Sequence, residues 1–283
     1  MNYNDITVVF VSFKSGHIIE TPISAINKNI KIFVIENSRD EKLKYELENK
    51  YQNVSVFIPE ENKGNGAGIN EGLKLANTKY IFYLDVDTKL TENTINELYN
   101  HAERLKDFSI LAPAINNFEY KKSFFLEQNE NYSKMSFVTG CALFMNAEVI
   151  KKNIGYFDEK IFLYYEENDM YKRCLKANKP IYLIHSSKID HIGNASAPIN
   201  FKEEIEINRN WHLMWSTFYF HKKHYGLIIA YYKVIFKYFS AILKILFFKL
   251  TRNKTKSRIY LARASGIMNS ILGKPSWYRP KIN

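Results

Sequence analysis

Tyr80-Ile-Phe-Tyr-Leu-Asp-Val-Asp-Thr88 sets a continuous apolar run directly before two carboxylates placed two positions apart. A run that is apolar at every position, rather than at alternate ones, reads as a strand covered on both faces, as in a parallel sheet. In an extended chain, residues two apart point the same way, so Asp85 and Asp87 can face one ligand at the strand's carboxyl end. Two hard oxygen donors there suit Mg²⁺ or Mn²⁺ bridging a diphosphate, with the remaining metal positions kept for water and phosphate oxygens. A solvated turn at a strand end satisfies the same tripeptide, so the motif needs its surroundings.

Working outward, similar runs stand at Ile6 to Ser12, Lys31 to Asn37 and Val54 to Pro59, separated by helix-like stretches around Asp40 to Lys50, Gly66 to Asn77 and Glu92 to Arg104. Strands alternating with helices at this spacing imply right-handed βαβ units and a parallel sheet with its ligands at the carboxyl ends of the strands. The first run is too short for the apolar core of a signal sequence and has no basic segment before it. Beyond Ser109 the pattern is less regular, with strands expected at 110–115, 137–145 and 180–185 and a helix at 166–177. The polar stretch 118–134 reads as a flexible loop on the substrate side. The expected fold class is therefore α/β with a mostly parallel central sheet, mixed in its second half.

The whole chain, 283 residues with 46% hydrophobic content, has the apolar content of a large domain plus an appendage and is not a disordered polymer. Two cysteines, Cys141 and Cys174, cannot form a disulfide framework or a four-thiolate site; they fit a reducing compartment and read as small core residues. The net charge of +11 is unevenly placed: residues 1–206 hold 25 Lys+Arg against 29 Asp+Glu, while 207–283 hold 15 Lys+Arg and no acidic residue. A mildly acidic domain is therefore followed by a basic, aromatic tail; the tail helix read from Gly226 and the resemblance given below, which ends near Tyr225, put the domain boundary at 225/226.

Three further stretches carry candidate chemistry. Asn62-Lys-Gly-Asn-Gly-Ala-Gly-Ile-Asn70-Glu-Gly72 follows a strand and opens a helix, where glycine lets backbone approach a ligand and free N–H groups face an anion. It is neither a Walker loop nor a dinucleotide fingerprint, and a turn with close helix packing reads equally well. Glu166, Glu167 and Asp169 crowd three carboxylates into a helix start, which raises the proton affinity of at least one and fits a general base; favourable interaction with the helix dipole explains them as well. His191, in a polar loop with Gly193 and Ser196, fits a metal or phosphate ligand, or a hydrogen-bonded structural histidine.

In this order the set resembles the inverting family 2 glycosyltransferases of the GT-A fold, in particular their bacterial rhamnosyltransferase-like members. The resemblance runs from about Ile6 to Tyr225 and rests on Val11-Ser12-Phe13, Val34-Ile-Glu36-Asn37-Ser38, Asn62-x-Gly64, Asn70-x-Gly72, Asp85-Val-Asp87, Gly140-Cys141, Gly155-Tyr-Phe-Asp158-Glu159, Tyr164-Tyr-Glu-Glu-Asn-Asp169 with Arg173, and His191-x-Gly193-x-x-Ser196. It implies a nucleotide-sugar site built by Ser12, Glu36 and Asn37 around base and ribose. Asn62, Gly64 and Asn70 would come from the glycine-rich entry, and Asp85 would stand at the ribose or donor sugar. It also implies a Mn²⁺ or Mg²⁺ site at Asp87, with His191 as a further metal or diphosphate ligand. The family's base is the aspartate of a Glu-Asp pair; that slot holds Glu167 here, so the base stays open among Glu166, Glu167 and Asp169. Glu36 replaces the usual aspartate and leaves the nucleobase open.

The stretch Gly226 to Lys249 is long enough to span a bilayer as a helix, but Lys233, Lys237 and Lys244 fall within about 40° of one another at about 100° per residue. A cationic stripe on an aromatic and aliphatic helix marks a segment lying in a membrane interface. Nucleic acid is disfavoured because tracking phosphates does not need that density of apolar residues. Trp211, Trp215, Tyr219, Phe220 and Trp277-Tyr278 fit an interfacial belt, and the first four fit a core equally well. The expected function is a metal-dependent inverting transfer of a sugar from a nucleotide-sugar donor to a glycan acceptor, lipid-linked, in surface polysaccharide or glycoconjugate assembly. The enzyme would work peripherally on the cytoplasmic face of the cell membrane, a homo-oligomer being compatible. The alternatives are a sugar-1-phosphate nucleotidyltransferase and a membrane-bound scaffold without activity.

Overall fold

The computed structural model describes residues 1–193 and 199–280. The chain divides into two compact units, one of Met1–Phe157 with Met170–Ser196 and the other of Asp158–Asp169 with Ala197–Asn283. The helix before Gly226 thus groups with those after it, whereas the expected boundary, at the end of the resemblance, lay at 225/226.

The first unit is built on one sheet. Strands β1 (Ile6–Ser12), β2 (Lys31–Glu36), β3 (Val54–Phe57) and β4 (Tyr80–Leu84) lie parallel in the order β3-β2-β1-β4. They alternate with α1 (Glu20–Ser24), α2 (Glu41–Lys50) and α3 (Asn65–Leu75). The sheet continues through β9 (Ala142–Asn146), β6 (Ile110–Ile115), β10 (Ile181–His191), β8 (Tyr132–Met135) and β7 (Phe125–Gln128). Here parallel and antiparallel neighbours mix: β9 runs antiparallel to β4 and β6, and β10 runs parallel to β6. A short β5 (Thr88–Leu90) pairs antiparallel with β10, and α4 (Thr94–Leu105) and α5 (Ala147–Val149) complete the connections ahead of α6 (Glu166–Lys176).

The unbroken apolar runs produce two cores. Tyr80, Phe82 and Leu84 of β4 join one buried cluster with Val8 and Phe10 of β1, while Ile81, Tyr83 and Val9 belong to the other. A strand alternates its side chains between faces, so a strand covered on both sides must be apolar throughout. The stretch 118–134 departs from the expected flexible loop: it forms the β7–β8 hairpin at the sheet edge. The hairpin's inward residues are Ser133 and Met135, set between Tyr132 and Lys134, so its half-buried alternation carries little apolar signal.

The second unit is helical. Helices α7 (Lys202–Tyr225), α8 (Leu227–Leu250) and α9 (Lys254–Ile271) pack on one another, with Met214, Phe218, Val234 and Ile267 in one cluster and Trp211, Trp215 and Ala262 in another. Trp211, Trp215 and Phe220 are thereby core residues, while Trp277 is exposed and Tyr278 stacks on Trp211 at 5.7 Å between ring centroids. Gly226, at φ +87°, ends α7 and begins α8, and Lys233, Lys237 and Lys244 all lie on α8.

Glycines set the closest approaches in both units. A Cβ on Gly72 of α3 would stand 2.5 Å from a Val9 methyl, and one on Gly266 of α9 would stand 2.3 Å from the Trp211 carbonyl oxygen. Alanine gains about 1 kcal/mol of helix propensity over glycine, but such clashes cost about 1–3 kcal/mol or more, so the clash wins. Gly72→Ala and Gly266→Ala are each expected to lower stability in urea unfolding. The second should do so by more, because a backbone carbonyl cannot rotate away. Unchanged midpoints would contradict this packing.

Candidate active site

The carboxyl ends of β1 and β2 bring Ser12 opposite Glu36 in register. Both are fully buried. Glu36 Oε1 accepts from the Ser38 amide at 2.6 Å and from the Ser38 hydroxyl. Ser12 Oγ and Glu36 Oε2 stand close by but without a hydrogen-bond partner of good geometry. Burial pushes the Glu36 carboxyl above its ordinary range, and the Ser12 and Ser38 hydroxyls beside it pull it only part of the way back. Two orphaned polar atoms at the ligand-bearing edge of a parallel sheet are a strained arrangement until something bonds to them.

Asn37 joins this edge to the glycine-rich entry. Its amide donates to the Gly64 carbonyl at 3.2 Å, and its Oδ1 accepts from the Lys63 amide at 3.4 Å. Asn62 in turn caps the Gly64 amide at 3.0 Å, and Gly64, at φ +86°, adopts a conformation that favours glycine just before α3. Asn70 is placed differently. It is fully buried on α3, with its Nδ2 donating to the Phe157 carbonyl at 2.9 Å and its Oδ1 accepting from the Phe157 amide at 2.8 Å. These bonds make it a tie between α3 and the 155–157 turn, which Arg173 also grips through the Ile154 and Gly155 carbonyls.

At the end of β4 the chain turns on Asp85, whose carbonyl accepts from Thr88, and then returns as β5. Pairing of Thr88 with His191 brings the end of β10 alongside, and the Ile192 amide donates to the Asp87 carbonyl. His191 Nε2 consequently lies 3.3 Å from Asp87 Oδ1 and 3.7 Å from Asp85 Oδ2. The hydrogen bond with Asp87 raises the proton affinity of His191, burial opposes it, and the negative charge of the two carboxylates adds to the rise. Asp85, Asp87 and His191 each offer one ligand atom within 4.8 Å of the others. Two carboxylate oxygens and an imidazole nitrogen form a hard, mixed donor set that fits Mn²⁺ or Mg²⁺. Tyr83, unflagged by the sequence because it sits inside the apolar run, donates its hydroxyl to Asp85 Oδ1 at 2.5 Å and fixes that carboxylate. Ser196, the last residue of the histidine motif, lies outside the described residues.

The acidic turn belongs to the helical unit. Tyr164 and Tyr165 sit at φ +64° and +70°, left-handed conformations that cost of order 1–3 kcal/mol each for a residue with a side chain. Helix α7 holds them there. Ser216 donates to the Leu163 carbonyl at 2.9 Å, His212 stacks on Phe162, and the Tyr165 ring packs against Phe220. His212, its pKa lowered to about 3 by burial, is a neutral core residue. Asp169, fully buried, is ion-paired with Lys223 Nζ at 2.5 Å and hydrogen-bonded with His224 Nε2 at 2.8 Å. Lys223 also bridges to Asp158 at 2.8 Å. Burial raises the Asp158 carboxyl, but hydrogen bonds from Lys223 and Tyr219 outweigh it and hold it below its ordinary range. Of the three carboxylates left open as the base, Asp169 is buried and held by Lys223 and His224, Glu166 is buried and Glu167 is half-buried.

The model of a family described as glycosyl transferase family 2 matches residues 7–154, more than half of the chain. The chain belongs to that family. An uncharacterized glycosyltransferase of Rickettsia typhi is 24% identical over 218 residues, covering 71% of this chain and 65% of that protein. The low-salt glycan biosynthesis hexosyltransferase Agl10 of Haloferax volcanii is 22% identical over 215 residues, covering 66% and 69%. The chain therefore spans about two thirds of the length of these curated relatives. The crystal structure of S. aureus TarS in complex with UDP shares the fold, with a TM-score of 0.56 at 16% identity over 98% of this chain and 94% of that one. The matched family 2 region contains the Ser12–Glu36 edge, the glycine-rich entry and the Asp85–Asp87 pair; His191 and the acidic turn lie beyond it.

Glu36 gives a pH test of the buried edge. Its folded pKa lies above the unfolded value of 4.5, so its contribution to stability is full below that value and is lost as pH rises through the folded pKa. Glu36→Gln removes the ionisation. Its melting temperature relative to wild type should therefore be higher at pH 8 than at pH 4; a pH-independent difference would contradict the burial of an ionisable Glu36.

Proposed function

We propose that this chain catalyses metal-dependent, inverting transfer of a sugar from a nucleoside diphosphate donor to a glycan acceptor. The observation that carries the reading is the Asp85–Asp87–His191 cluster at the open end of a central strand in a family 2 domain. Asp87 and His191 would hold Mn²⁺ or Mg²⁺, and Asp85 would complete the set or orient the donor sugar. The bound cation supplies positive charge against the departing nucleoside diphosphate. Ser12 Oγ and Glu36 Oε2 would bond the base and ribose, with Asn37, Asn62 and Gly64 shaping the loop beside them. Glu167, the carboxylate of the acidic turn with solvent access, would take the proton from the acceptor hydroxyl; a single displacement then inverts the anomeric carbon.

The structure of TarS with UDP makes UDP-sugars the first donors to test, and the sequence resemblance adds rhamnose as the finer reading of the sugar. The acceptor is proposed to be a lipid-linked glycan used in surface polysaccharide or glycoconjugate assembly, as the glycan-biosynthesis relative of Haloferax volcanii supports in general terms. The site of action is proposed to be the cytoplasmic face of an anionic membrane, reached through the basic 226–283 tail. No helix among the described residues is long and apolar enough to cross a membrane.

Asp87→Ala should abolish metal-dependent sugar release from a UDP-sugar panel. Glu167→Gln should lower turnover by about 10²–10⁴-fold, the usual worth of a general base, while leaving the nucleotide-induced thermal shift in place. Wild-type turnover in both variants would overturn the assignment, and no nucleotide binding by the wild type would favour the scaffold alternative.

A further inference from the structure

Helix α8 buries one narrow side. Ala230, Val234, Ala241 and Ile245 pack into the helical unit, recurring at the steps of four and seven residues that keep to one side of a helix. The opposite side carries no polar residue where solvent would require one. Ile228, Tyr232, Phe236, Phe239, Leu243 and Leu250 are all between 58% and 87% exposed. At about 100° per residue they fall within about 80° of one another, so they form a single apolar strip. Over 24 residues the strip is about 36 Å long at about 1.5 Å per residue. A folded surface seldom leaves so continuous an apolar area to water unless something covers it.

The charges around the strip identify what covers it. Lys233, Lys237 and Lys244 are exposed along one border, between the strip and the packed side. Arg252, Lys254 and Lys256 are exposed in the turn and first residues that follow its far end. No acidic residue occurs anywhere from 207 to 283. A second copy of the chain pairing strip to strip would bring two cationic borders together with no carboxylate from this region to offset them. A spanning helix would need apolar character all round, but one side of α8 is already packed and one border is lysine-lined. Anionic headgroups bordering an acyl region meet both demands, taking the apolar strip below the headgroups and the lysines among them.

We infer that the outer strip of α8, with its lysine border and the basic turn into α9, is the surface by which this chain docks on an anionic bilayer, α8 lying in the interfacial plane. This deepens the membrane reading given above and rests on it. It also alters the expected geometry: the outermost face is aliphatic and aromatic, and the lysines stand at its edge rather than along its centre.

The test is co-sedimentation of the full chain with vesicles of phosphatidylcholine alone and with phosphatidylglycerol added, on wild type, Phe236→Glu/Leu243→Glu and Arg252→Glu/Lys254→Glu/Lys256→Glu. Thermal shift with UDP and Mn²⁺ is measured on the same samples, so folding and donor binding are read separately from lipid binding. The wild type should bind the anionic vesicles and lose binding as salt is raised. Each variant should bind at least about tenfold more weakly, one through the lost apolar contact and the other through the lost charge, with melting temperature unchanged. Wild type that stays in the supernatant, or a Phe236→Glu/Leu243→Glu variant that binds like wild type, would overturn the docking surface whatever the thermal shift shows. A wild-type dimer in velocity sedimentation that this variant dissociates, without vesicle binding, would overturn it in favour of a second copy. Vesicle binding without a nucleotide shift would keep the docking surface and count against the donor reading instead.

Discussion

Two carboxylates cannot stand side by side at the end of a buried strand without a positive neighbour, and Asp87 is nearly inaccessible to water. His191 meets that demand from another strand. It reaches Asp87 because β10 pairs with β8 over Tyr182–Ile184 and then with β5 over Ile189–His191. The turn at Asp85 to Thr88 is what makes β5 available for that pairing. A divalent cation can take the place of the proton between these groups, so the arrangement that stabilises the apo protein also prepares it for a metal.

The sequence made the N-terminal sheet legible because strands covered on both faces must be apolar at every position, and the runs beginning at Ile6, Lys31, Val54 and Tyr80 are. The β7–β8 hairpin was not legible, since an edge hairpin with Ser133 and Met135 inward gives almost no apolar pattern. That α7 groups with the helices beyond Gly226 was not legible either, since Trp211, Trp215, Tyr219 and Phe220 read equally as core or as an interfacial belt. In the candidate site, Asp85, Asp87 and His191 were legible as ordered motifs. Tyr83 was masked by its place in a core strand, and the hold of Lys223 and His224 on Asp169 depends on tertiary packing that no local spacing encodes. Asn70 shows the converse case. It sits in a glycine-rich entry that resembles a ligand loop, yet its amide is spent on the Phe157 backbone.

The helical unit has two features that the tail's composition did not separate. Its α7 side chains hold the strained Tyr164–Tyr165 turn and neutralise Asp158 and Asp169, which leaves Glu167 as the carboxylate of that turn open to solvent. Its α8 surface carries the exposed apolar strip. The excess of positive charge therefore sits in residues 207–283, where cations serve both internal ion pairs and an outward surface, while residues 1–206, with the nucleotide-sugar motifs, are mildly acidic.

The central claim is that Asp85, Asp87 and His191 form a divalent metal site. Its most direct test is electron paramagnetic resonance of Mn²⁺ titrated into the protein with and without UDP, on wild type, Asp87→Ala and His191→Ala. The wild type should give a protein-bound Mn²⁺ signal, strengthened by UDP, that each substitution weakens or removes. Mn²⁺ bound equally by all three proteins, or by none of them in the presence of UDP, would contradict it.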